Sequence, residues 1–177
     1  STFRDAPGTL IHGEVSMEVR NRVRGVAHDL NVAKITVMRV PDRPGVAAIL
    51  FEPLTEAGVS VDTIVQNASV ERTTDLTFTV AREDLDMALK IVEPVAEDMG
   101  AGGCISNAYL GNVSIVGTGM QHNPGYAARM FRALYEANVN IEMITTSEIR
   151  ITCIVGEDRV EEAVRALHAT FQLDQVD

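Results

Sequence analysis

The chain carries one segment twice. When Pro44 to Ile64 (PGVAAILFEPLTEAGVSVDTI) is laid over Pro124 to Ile144 (PGYAARMFRALYEANVNIEMI) at an offset of 80, ten of the twenty-one positions are identical, from Pro44/Pro124 and Gly45/Gly125 through Leu54/Leu134 to Ile64/Ile144. Within 177 residues such a duplication leaves room for two copies of one small module and little else. Each copy opens a helical pattern with a Pro-Gly turn, where free backbone N–H groups can receive a carboxylate. The repeat therefore points to paired small-molecule sites.

The period of the apolar residues gives each copy its elements. In the first, Ile35 to Val40 is a β-branched run, and Thr74 to Val80 alternates Leu76, Phe78 and Val80 against Thr77 and Thr79, so both read as strands. Between them Val46, Ile49, Leu50, Pro53, Leu54 and Ala57 make one stripe of a helix closed by Gly58, and Val61 to Gln66 is a further strand. Leu85, Ala88, Leu89, Val92, Val95, Ala96 and Met99 line a second helix, broken by Gly100, Gly102 and Gly103, and Cys104 to Leu110 supplies a last strand. The order β-α-β-β-α-β is the ferredoxin-like plan, an α+β fold with helices on one face of an antiparallel sheet.

The second copy repeats that order with strands at Val113 to Val116, Ile141 to Thr146 and Ile149 to Val155. Its helices are Gly125 to Ala137 and the stripe Val160, Ala163, Val164, Leu167, Phe171. Its closing strand is missing, since Leu173 to Asp177 is short and polar, and a bared sheet edge would result. Val23 to His28 is the natural donor. We expect a clasp: residues 33–110 form the first module, residues 23–32 plus 111–174 the second, and residues 1–22 a linker. Pro53 runs against the pattern, because a proline inside a helix removes a hydrogen bond; the helix either kinks there or starts a turn later.

Composition excludes several functions. A net charge of −10 repels a polyphosphate backbone, and five Phe, three Tyr and no Trp offer few stacking platforms, so charge and chemistry alike argue against nucleic acid as a partner. No apolar run approaches the ~20 residues of a membrane span, and we expect a cytoplasmic protein. Cys104 and Cys153 stand alone in apolar surroundings and read as core residues. His12, His28, His122 and His168 lack ligand spacing, so no metal is assigned. Gly117-Thr118-Gly119 starts like a dinucleotide loop but has His122 where a third glycine belongs, and no Ser or Cys nucleophile is tied to a base. No catalytic residue and no cofactor are assigned to this chain.

Two readings of the Pro-Gly turns stay open on the residues alone. In one, Asp42 and Asn123 cap the first turns of their helices. In the other, an amino acid's carboxylate docks on the helix N-terminus while a neighbouring strand end holds its ammonium.

Here the sequence resembles a family. VPDRPGVAAILFEPLTEAGVSVDTIVQN, TTDLTFTV, VSIVGTGMQHNPGYAARMFRALYEANVNIEMITTSEIRI and AVRALHATFQLD are similar to the tandem ACT domains of aspartate kinase, over roughly residues 24–174. The leading FRDAPGTLI resembles the end of that enzyme's kinase domain, so the ATP- and aspartate-binding residues would lie upstream. The resemblance implies feedback regulation by lysine and/or threonine, a homodimer whose ACT modules pair side by side, and a parent phosphotransferase using ATP and Mg. It implies one effector site from Asp42, Arg43, Pro44, Gly45, Val46, Ala47 and Gln66 with Asn140 and Ile141 of the facing module. A second would use Asn123, Pro124, Gly125, Tyr126 and Ala127 with Val61, Asp62, Ser147 and Glu148. In those sites Asp42 and Glu148 would accept from an ammonium, and Gln66 and Ser147 would bond polar atoms. The second site departs from the family at His122, Asn123, Tyr126 and Ala127, and Tyr126 is placed to reshape it. A separate regulatory beta subunit of the same enzyme and a purely structural dimerisation module are the alternatives.

Overall fold

A computed structural model describes residues 23–67, 72–118, 120 and 124–173. The expected linker over 1–22, Gly119, His122, Asn123 and the residues after Leu173 lie outside these. The elements run β1 (Val23–Pro41), α1 (Val46–Glu56), β2 (Val61–Gln66), β3 (Thr73–Val80), α2 (Leu85–Asp98), β4 (Cys104–Gly117), α3 (Tyr126–Glu136), β5 (Ile141–Thr146), β6 (Arg150–Gly156) and α4 (Val160–Phe171). Single 3₁₀ turns, Arg82–Asp84 and Glu157–Arg159, follow β3 and β6.

One six-stranded antiparallel sheet, in the order β2-β3-β1-β4-β6-β5, contains both repeats. Its two central strands are longer than the sequence pattern suggests. Val23 to His28 and Ile35 to Val40 belong to one strand, β1, and Cys104 to Leu110 and Val113 to Val116 to another, β4. The missing strand of the second repeat is therefore the first half of β1, which pairs Val23 with Gly117 and His28 with Val113. Register shifts between Asp29 and Val32 and between Val32 and Lys34 let the strand change neighbours without ending. The sequence reads these stretches as separate because polar His28, Asp29 and Asn31 interrupt the apolar alternation.

Each repeat has its own core. Ala33, Ile35 and Val37 of β1 and Leu76, Phe78 and Val80 of β3 pack against Val46, Leu50 and Leu54 of α1 and Ala88, Val92 and Ala96 of α2. Val113 and Ile115 of β4 and Ile151, Cys153 and Val155 of β6 do the same with Tyr126, Met130 and Leu134 of α3 and Leu167 and Phe171 of α4. Val32, Leu110 and Ile154 form a small cluster of their own, with Met143 against it, at the junction of the halves. The opposite strand positions carry hydroxyls that satisfy one another, Thr36 with Thr77 at 2.9 Å and Ser114 with Thr152 at 2.7 Å.

α1 starts at Val46 despite Pro53, so the later start is not what happens. The hydrogen bond that Pro53 cannot make would end on the carbonyl of Ile49, a residue 47% exposed, and solvent there lowers the cost. α2 also contains a proline, Pro94, within its 14 residues. Both repeats end their first helix alike. Val59 N–H donates to Leu54 O and Val139 N–H to Leu134 O, both at 2.9 Å, around left-handed Gly58 and Asn138.

Two outcomes follow for stability. A Cβ on Gly111 of β4 would lie 2.4 Å from Val160 Cγ2 and 3.3 Å from the Asp29 carbonyl, whereas one on Gly25 meets nothing within 4 Å. Gly111→Ala should lose about 1–3 kcal/mol in urea denaturation and Gly25→Ala should not. Burial pushes the Cys153 thiol up from 9.0 to about 12. The unfolded chain then releases this proton from pH 9 upward while the fold holds it, so stability present below pH 9 is lost as pH rises toward 12. The alkaline loss, followed by thermal melts, should be shallower in Cys153→Ala.

Candidate ligand-binding site

The two Pro-Gly turns adopt one geometry. Gly45 precedes α1 at φ 91°, ψ −11°, and Gly125 precedes α3 at φ 107°, ψ −18°, both in the left-handed region that costs a side-chain-bearing residue. A Cβ on either would meet no atom within 4 Å, so it is backbone conformation, not crowding, that calls for glycine. The Asp42 carboxylate makes no hydrogen bond to the first turn of α1, contrary to the capping role its position suggests. Asp42 instead donates its backbone N–H to the Arg72 carbonyl at 2.8 Å, tying the turn to the approach of β3.

At the second turn the chain closes a cleft by itself. Pro124, Gly125, Tyr126 and Ala127 from the start of α3 face Ser147 and Glu148 from the β5–β6 turn around a cavity of about 530 Å³, with Met120, Thr146 and Ile151 completing the wall. That turn is held by Ser147 N–H donating to Arg150 O at 2.7 Å, and Gly117 N–H donates to Ile149 O at 2.9 Å. The Tyr126 ring is buried, stacked on Phe171 with centroids 6.4 Å apart; it packs into the core beneath the cleft. Thr146 is not among the residues expected at either site, although the offset of 80 places it on Gln66, an expected residue of the first copy.

The remaining expected residues are placed differently. Asp62 does not line this cleft; with Thr63, Ser147 and Arg150 it borders an adjoining polar cavity of about 620 Å³ that shares Thr146 and Ser147 with it. Val61 packs against the first core. At the first turn Asp42, Arg43, Pro44, Gly45 and Ala47 are exposed, Val46 is core, and Gln66 is exposed at the end of β2, paired with Leu76. Asn140 and Ile141 are not beside them. Ile141 begins β5 and Asn140 immediately precedes it, at the opposite edge of the sheet, where Asn140 Nδ2 donates to Glu142 Oε1 at 3.4 Å. Glu142 also accepts from Lys34 Nζ at 2.9 Å, and that hydrogen bond holds its carboxyl below the usual range.

Chemically the cleft offers opposite poles. The start of α3 presents backbone N–H groups and the positive end of the helix dipole, suited to a carboxylate. Glu148 supplies a carboxylate for a cation, and Thr146 and Ser147 can donate or accept.

The ACT domain family matches residues 38–94 and 113–171. The regulatory subunit of aspartate kinase from Thermus thermophilus, in its ligand-free form, superposes with a TM-score of 0.80 at 40% identity, covering 85% of this chain and 99% of that one. The chain belongs to the aspartate kinase family, as a tandem ACT regulatory region. An aspartate kinase of Stutzerimonas stutzeri is 46% identical over 98% of the chain, and an aspartate kinase from Synechocystis superposes at 0.81 with 44% identity over 88% of it. The ACT region spans 42% of the length of the Stutzerimonas enzyme. It is the regulatory part of such an enzyme and not the catalytic domain.

Replacing Gly45 or Gly125 of this ACT region by Ala should cost about 1–2 kcal/mol each by urea denaturation, from the left-handed backbone alone. Gly25→Ala serves as the control without a positive φ.

Proposed function

We propose that this ACT region senses lysine and/or threonine and transmits feedback inhibition to the kinase domain of an aspartate kinase that phosphorylates L-aspartate with ATP and Mg. The observation that carries the reading is the cleft of about 530 Å³ lined both by the start of α3 and by Glu148, which pairs a helix N-terminus with an acidic residue in one cavity. The quasi-equivalent site at Asp42, Arg43, Pro44, Gly45, Val46, Ala47 and Gln66 uses the same left-handed glycine.

A homodimer completes the scheme. Asn140 and Ile141 lie at the sheet edge opposite Gln66, so the first site gains them only from a second chain whose β5 edge meets β2. Ile64 and Ile144, at matching positions of those edge strands, are 53% and 44% exposed, which favours covering both edges. Asp62 and Val61 would join the second site by the same pairing. No described helix is long and apolar enough to cross a membrane, and the parent enzyme is placed in the cytoplasm by this reading.

A thermal-shift titration against the twenty amino acids tests it. A ligand at 100 times its dissociation constant adds about 2.7 kcal/mol, which for a domain of this size is roughly a 5–10 °C rise in Tm. Lysine, threonine or both should give that shift, and Glu148→Gln should weaken binding at the second site about tenfold or more through loss of a charged hydrogen bond. A response to methionine or a branched-chain amino acid alone would name a different effector. A flat response to all twenty would leave chain pairing as the role of the region.

A further inference from the structure

The end of β1 that leads to the first Pro-Gly turn is bulged. β1 pairs with β3 through Val37/Leu76 and Val40/Thr74, so two residues, Met38 and Arg39, stand against one, Asp75. A bulge leaves its extra backbone groups without ladder partners. Met38 is taken up on the other side of the strand, its N–H donating to Gly103 O at 2.9 Å and its carbonyl accepting from Gly102 N–H at 2.6 Å. The Arg39 N–H is taken by a side chain and donates to Asp75 Oδ1 at 2.8 Å. A carboxylate on a backbone N–H makes a charge-assisted bond, stronger than the amide pairing it replaces.

Asp75 faces a residue that needs holding. Arg39 lies at φ 51°, in the left-handed region, which a residue with a side chain keeps only where its surroundings impose it. Its side chain is laid against Gly102, where a Cβ would come within 2.5 Å of Arg39 Nε. The corresponding exit in the second copy reads Gly117-Thr118-Gly119, so glycine is at hand there and arginine here. Beyond Arg39 the Asp42 N–H meets the carbonyl of Arg72, itself at φ 57°, and Pro44 and Gly45 follow. The direction in which the chain leaves the sheet is therefore set at Arg39. A change from left-handed to extended backbone there would undo the bulge and move every following residue by one place in the ladder, carrying the start of α1 with it. Asp75 is exposed, so replacing it leaves the core intact.

We infer that Asp75 is a positioning residue for the first ligand-binding turn: its carboxylate, on the Arg39 N–H, fixes the bulge that aims Asp42 to Gly45 and the start of α1; this rests on the sensing reading above. The test measures lysine and threonine binding to the 177-residue chain by calorimetry, with hydrogen exchange by mass spectrometry placing each ligand at residues 42–50 or 124–130. In the wild type at least one of the two should protect 42–50. Asp75→Ala should weaken that ligand about tenfold, for the loss of a charged hydrogen bond, and leave binding at 124–130 within about twofold. Asp75→Asn, which keeps an acceptor oxygen, should recover most of the affinity. Arg39→Gly should bind at least as tightly as the wild type, and adding Asp75→Ala to it should cost less than about twofold, because glycine holds the left-handed backbone unaided. A residue serving only the stability of the first repeat would lower Tm without this rescue of affinity. Unchanged affinity at 42–50 in Asp75→Ala, an equal loss at both turns, or a loss that persists undiminished beside Arg39→Gly overturns the positioning role. Wild-type protection confined to 124–130 overturns it too and leaves sensing at the second turn standing. Absence of protection at either turn by lysine or threonine overturns the sensing reading itself and the positioning role with it.

Discussion

Everything in this molecule depends on two strands being shared. β1 and β4 pair with each other from Val23/Gly117 to Val37/Cys104, and each passes from one core into the other without a break. The first repeat takes Ala33, Ile35 and Val37 from β1, and the second takes Val23 from the same strand. Neither repeat owns a complete sheet, because the fourth strand of each is the continuation of the other's first. A duplicated pair of modules would ordinarily meet through a surface and move on a linker; here the backbone ladder itself is the joint. Relative motion of the halves must then appear as twist or register change in β1 and β4, at the shifts around Asp29 to Lys34.

The duplication was legible because it is written in backbone chemistry as well as side chains. Gly45 and Gly125 share a left-handed conformation, and Gly58 and Asn138 share another, so both ends of α1 and α3 are set by the few residue types that tolerate positive φ. Strands β2 and β5 fall where the alternation of Val61 to Gln66 and Ile141 to Thr146 puts them, and the donor role of Val23 to His28 followed from counting strands in the second copy. The continuity of β1 and β4 was not legible. Periodicity reports burial, and a strand that crosses from one core to another loses burial at the crossing while keeping its hydrogen bonds. Pro53 shows the converse, a strong local objection that an exposed Ile49 carbonyl makes affordable.

The site divides the same way. Pro124, Gly125, Tyr126, Ala127, Ser147 and Glu148 converge because one turn leads into α3 and the other leaves β5 toward β6, both at the same end of the second repeat. Asn140 and Ile141 could not be placed beside Gly45 by any property of a single chain, since they lie at the start of the strand on the far edge of the sheet, Asn140 just before it. Arg82, whose Nη1 donates to Glu157 Oε1 at 3.0 Å, is invisible in the sequence for a different reason. Lone charges after a strand read as solvated surface, and only three-dimensional placement shows Arg82 reaching the carbonyl of Leu110, a residue 1% exposed.

Charge decides what class of ligand such a cleft can hold. A simple anion would gain the helix N-terminus, worth about 0.3–1 kcal/mol at an exposed site, but would face Glu148 and a chain whose formal net charge is −10. A simple cation would gain Glu148 and lose against the positive end of α3. A molecule carrying both charges, as the α-amino acid proposed above does, would satisfy both poles. Discrimination among amino acids then falls to the rest of the wall. Met120, Tyr126 and Ile151 offer apolar surface, while Thr146 and Ser147 offer hydroxyls. A side chain that leaves a hydroxyl or ammonium unpaired against the apolar part loses more than one that is merely a methylene too short. On that proposal, selectivity at this cleft would be governed by where the polar end of the ligand's side chain falls relative to Thr146 and Ser147.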